Sequence, residues 1–80
     1  MSVISALQQD GIDPEAPFAI AFATAGSDEA IVLGSAPDAD QATLVFHDER
    51  ERLAADHVTG HLLLIYHDEV PRMLLRELLG

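Results

Sequence analysis

The chain contains no cysteine and no lysine, and its whole cationic complement is Arg50, Arg52, Arg72 and Arg76. Without cysteine, disulfides and thiolate metal sites are excluded. Without clustered Lys and Arg, a surface that displaces counterions from a nucleic-acid duplex is hard to build. Arg50 and Arg52 stand beside Glu49 and Glu51, and Arg76 beside Glu77, so no basic patch forms along the sequence. Direct nucleic-acid binding is therefore not expected. Long apolar runs are missing too. None approaches the roughly 18 residues of a membrane span, and the first residues lack the basic start of a signal peptide. The expectation is a cytoplasmic chain without membrane contact.

What is present is acid. Fourteen Asp and Glu against four Arg give a formal net charge of -10 on 8.6 kDa. Such a chain repels itself in dilute buffer. At 1 M salt the Debye length falls to about 3 Å, and much of that repulsion is screened. An acidic, lysine-free, alanine-rich composition resembles that of proteins from salt-accumulating archaea. A high-GC coding bias would replace Lys by Arg, but it would not supply the acidic excess. The reading is a halophilic protein.

Eighty residues suit a single domain spanning 1–80. A chain this short buries only roughly 60–65% of the surface that its unfolded form exposes, so the core is marginal. Its second half reads as one unit written twice, 41–60 and 61–80. Leu44 aligns with Leu64, His47-Asp48-Glu49 with His67-Asp68-Glu69, Arg52 with Arg72 and Gly60 with Gly80. Each copy runs from an apolar stretch through His-Asp-Glu into a helix-like segment closed by Gly. A repeat of this kind points to two β-α units.

The first half fits that scheme. Ser2 caps a short helix over 2–10, which Gly11 stops. Phe18, Ile20 and Phe22 alternate with Ala19, Ala21, Ala23 and Ala25, the period-two signature of a strand. The alanine side would let a helix approach closely. Gly26–Glu29 then reads as a hairpin loop leading to a second strand over 30–34. A loop over 35–41 leads to a third strand at 43–47 and a helix over 49–58. A fourth strand at 62–67 and a final helix from Asp68 complete the chain. Residues 48–60 are long enough to carry a crossover between parallel strands. The expected fold is α+β: an N-terminal helix, a β-hairpin and two β-α units, forming a four-stranded mixed sheet with helices packed on it.

Two functional expectations follow. The last segment is richer in leucine than an outer helix of a small monomer needs. With Leu75, Leu78 and Leu79 as its outward face, it would serve a homodimer or another protein partner in a non-enzymatic interaction domain. Each leucine would contribute about 1.5–3 kcal/mol before association costs. The alternative is a metal-binding protein or metal-dependent enzyme. If the repeated strands were parallel and in register, His47 and His67 would share one sheet end about 4.8 Å apart, with Asp48 and Asp68 adjacent. Two imidazoles and a carboxylate suit a divalent transition metal such as zinc. The plainer reading of Asp48 and Asp68 is that each caps a helix, with no cofactor. His57 and His61 have HxxxH spacing, but Gly60 interrupts any helix between them. No phosphate-binding glycine loop or hydrolase elbow occurs.

Overall fold

A computed structural model describes residues 15–27, 29–66 and 72–80. The expected helix over 2–10 lies outside them. In chain order the elements are β1 (Phe18–Thr24), β2 (Ile31–Ala36), α1 (Ala39–Ala55), β3 (Gly60–Tyr66) and β4 (Arg72–Leu79). The strands form a four-stranded sheet in the order β2-β1-β3-β4. The class is α+β, but all three strand pairings are antiparallel. The mixed sheet and the two β-α units are not found.

β1 and β2 form the expected hairpin. Their connection begins with a tight turn in which the Ser27 N–H donates to the Thr24 carbonyl at 3.0 Å, with Gly26 at φ 82°. A positive φ at the third position of a turn is costly for any residue with a Cβ. β2 extends to Ala36, two residues past the expected strand end.

The largest departure is α1. Residues 43–47, read as a strand from the apolar run Leu44-Val45-Phe46, lie in the middle of a 17-residue helix. The helical period explains why. Ala42, Phe46, Glu49 and Leu53 are its buried positions, spaced to lie along one face. Leu44, one of the three, is 63% exposed on the other side. The start is fixed by Asp38, whose Oδ1 accepts from the Gln41 N–H at 2.8 Å. Asp-x-x-Gln ahead of an apolar run is the capping-box pattern.

The helix ends before Gly60, by a left-handed residue that is not glycine. His57 has φ 57°; its N–H donates to the Ala54 carbonyl, and the Val58 N–H donates to the Leu53 carbonyl. This pair of bonds is the Schellman arrangement, and Val58 packs against the core cluster containing Leu53.

The helix crosses one face of the sheet from the β2 edge to β3, passing over β1. It thereby seals Ile20, Phe22, Leu33, Ala36, Leu62, Leu64 and Leu79 beneath Ala42, Phe46 and Leu53. That is the Phe face of β1; α1 does not pack on the alanine side, where Ala21 is nevertheless 1% exposed. Close approach comes instead from two glycines. A Cβ on Gly34 would stand 3.3 Å from Val45 Cγ1 of the helix. A Cβ on Gly60 would stand 2.3 Å from the Ala23 carbonyl oxygen and 2.6 Å from Phe22 Cζ.

The second departure is β4. Residues 72–79 pair with β3 as a strand, where a leucine-rich helix was expected. Leucine favours helix intrinsically, but such preferences are weak beside a ladder of pairing partners. The repeat therefore has no structural counterpart. Residues 41–55 are helical where their equivalents lie in β3, outside the described residues or in β4.

Two substitutions test these accounts. Gly60→Ala should lower unfolding stability by about 2–4 kcal/mol, since strain at φ 151° adds to overpacking against Phe22. His57→Gly should raise it by about 1 kcal/mol, the cost of a left-handed residue with a side chain. Urea unfolding in molar salt reads both.

Candidate functional site

β4 is an edge strand whose only described partner is β3. Cα partners across the ladder share a face, which fixes where each β4 side chain lies. Arg72, Leu75, Glu77 and Leu79 oppose Tyr66, Leu64, Leu62 and Gly60 on the helix side. Met73, Arg76 and Leu78 oppose Ile65, Leu63 and His61 on the other side. A register shift between Leu64 and Ile65 leaves Leu74 as an extra residue, a β-bulge.

Polar contacts hold this strand at both ends. Near its start, the Arg72 guanidinium lies over the Tyr66 ring at 5.1 Å from the centroid. The Tyr66 and Phe18 centroids are also 5.1 Å apart, so an aromatic and cationic row runs across β1, β3 and β4. Near its end, Glu77 Oε1 lies 3.3 Å from Arg50 Nε and ties the strand to α1.

Between these anchors the edge is apolar. Met73 is 54% exposed, Leu74 51%, Leu75 44% and Leu78 72%. Next to it, the sheet side away from α1 carries Ala19 and Ala23 from β1 and Leu63 and Ile65 from β3, all half-buried, and Ala21, which is 1% exposed. An edge strand with a row of exposed aliphatic groups is a template for another strand. β4 has little protection against that beyond its bulge and two arginines, because it carries no lysine and no proline.

Of the three expected interface leucines, Leu75 and Leu78 are exposed, on a strand where a helix was expected. Leu79 is not available, since it is 7% exposed and part of the core. Met73 and Leu74 also belong to the patch, although neither is among the residues expected on the outward face. Arg76-Glu77-Leu78-Leu79 is two polar then two apolar residues, so no period-two signal marks this strand.

The expected metal ligands are not brought together by the described structure. His47 is exposed on α1, edge-on to Phe46 with ring centroids 5.8 Å apart. Asp48 does not cap a helix. It lies within α1 and pairs with Arg52 one turn on, at 3.3 Å. The buried Glu49 beside it has Oε1 3.7 Å from the same guanidinium. His67 and Asp68 lie outside the described residues. The register argument for a shared site rests on a strand at His47 and a parallel pair; His47 lies in α1, and the pairings among the described strands are all antiparallel. His57 terminates the helix, and His61 is half-buried on the open side of β3. Among the described residues, no group of three or more His, Asp and Glu gathers where a metal could sit. No described helix is long and apolar enough to cross a membrane.

No family model, curated protein or solved structure matches the chain.

The contrast between neighbouring leucines can be measured. Leu79→Ala should cost about 2–5 kcal/mol of stability by leaving a core cavity. Leu78→Ala should change unfolding of the isolated chain by no more than about 0.5 kcal/mol. Equal effects would mean that the two positions are not on opposite sides of the strand.

Proposed function

We propose that this protein is a non-enzymatic interaction domain that forms a homodimer through the exposed edge of β4. The observation that carries the reading is the row Met73, Leu74, Leu75 and Leu78, exposed along a strand with one side unpaired among the described residues. Supporting it is the local charge. β4 holds Arg72 and Arg76 against Glu77, net +1 (two minus one), within a chain of net -10. It is therefore the stretch of surface where a second acidic copy meets least repulsion.

Strand pairing supplies main-chain hydrogen bonds, and the aliphatic row supplies apolar burial. A single-strand seam lies at the small end of specific interfaces, which places the expected affinity in roughly the micromolar range. Salt should strengthen it. Two copies together carry -20 (2 × -10), and screening that charge favours association in the salt-rich interior that the composition suggests.

Sedimentation equilibrium at 0.1 M and 1 M KCl (roughly 10 Å and 3 Å Debye lengths) tests the reading. A dimer that tightens with salt is expected, and Leu75→Lys should reduce it to monomer without lowering the unfolding midpoint of the monomer. A chain that stays monomeric at high concentration in molar salt would overturn it.

A further inference from the structure

The reading of β4 as a dimer seam leaves open which residues face one another, and the strand's own bulge narrows that choice. We infer that two copies pair β4 with β4 in antiparallel fashion about a two-fold axis at Leu75, so that Glu77 of each copy meets Arg72 of the other. This inference rests on the dimer reading above.

The argument is one of symmetry and charge. In a closed homodimer the same patch serves both copies. For identical antiparallel strands, an axis perpendicular to the sheet makes one residue face its own counterpart. Centring on Arg76 sets arginine against arginine, and centring on Glu77 sets glutamate against glutamate. Like charges directly opposite are destabilising. Centring on Met73 or Leu78 leaves little of Arg72–Leu79 overlapped. Leu74 is the bulged residue and has no position in the regular ladder. Leu75 remains, exposed at its edge and placed near the middle of the strand.

The bulge then decides the flanking pairs. Moving from Leu75 toward the C-terminus, Arg76 lies on the open side and Glu77 on the helix side. Moving toward the N-terminus, the extra residue delays the alternation by one. Met73 is on the open side, and Arg72 is on the helix side. Matching faces across the axis therefore sets Arg76 against Met73 and Glu77 against Arg72. An unbulged strand would have put Glu77 opposite residue 73. Both members of the resulting ion pair are already oriented on that face, Arg72 over Tyr66 and Glu77 beside Arg50. The axis gives two such pairs. The product is a continuous eight-stranded antiparallel sheet, four strands from each copy, with both helices on one side.

The absence of native cysteine makes the register directly readable. Opposed residues on antiparallel strands have Cα atoms about 4.5–5.5 Å apart, within the span that a disulfide bridges. Under mild oxidation, Leu75→Cys should give a covalent dimer, while Met73→Cys and Leu78→Cys remain unlinked over the same interval. A second measurement does not depend on an introduced thiol. Arg72→Glu and Glu77→Arg should each weaken self-association roughly tenfold, as two like-charged pairs replace two opposite ones. Mixed one to one, they should form a heterodimer in native mass spectrometry, because every 72–77 contact is again opposite in sign. Linking that runs faster through Met73→Cys or Leu78→Cys than through Leu75→Cys, or charge variants that fail to prefer each other, would overturn this register while leaving the dimer reading intact. A wild-type monomer would overturn both.

Discussion

The closure of α1 over β1 is the contact on which the rest of the molecule depends. Ile20 and Phe22 are fully buried, and so are Phe46 and Leu53 above them, in one apolar cluster. Because β1 has a strand on each side, covering it fixes the centre of the sheet. The ladder to β2 on one side and β3 on the other then follows from backbone pairing. The closeness of this packing is set by absences of side chain, at Gly34 under Val45 and at Gly60 against Phe22. A small core has few such contacts, so each accounts for a large share of a stability that is marginal for this length.

The described helix seals one face of the sheet and cannot seal the other. β4 receives only part of that cover, because Leu79 reaches the core while Met73, Leu74, Leu75 and Leu78 do not. The strand is thus held by its two ends and by β3, with its aliphatic middle left over. An exposed aliphatic edge of this kind is a template on which another strand can add.

Legibility from sequence followed the strength of local signals. The alternation at Phe18–Phe22 and the Gly26 turn are short-range features, and the hairpin they imply is present. β3 could be read from its apolar run. Residues 49–55 read as helix, whereas 43–47 misled because an aliphatic-aromatic run is compatible with either period over so few residues. The Asp38 to Gln41 cap is the arbiter, four residues long and easily taken for loop. For β4, Leu-Leu-Arg-Glu-Leu-Leu has real helical preference, and the pairing with β3 that overrides it is a tertiary fact. The same wrong period shapes the site: Leu75 and Leu78 are exposed, whereas Leu79, expected on the outward face, lies in the core. The first His-Asp-Glu lies inside α1, and the second lies outside the described residues.

The order of strands also has a kinetic side. β1–β2 and β3–β4 join near neighbours in sequence. The central pair β1–β3 joins Thr24 to Gly60, 36 positions apart (60 − 24), and Phe18 to Tyr66, 48 apart (66 − 18). Closing a loop of that shorter length costs about 3 kcal/mol in chain entropy, and α1 lies inside it. The two hairpins and the helix can each begin alone, but the seam that joins them waits on a search. The middle of the sheet, its most buried part, is by topology the pairing with the largest separation along the chain.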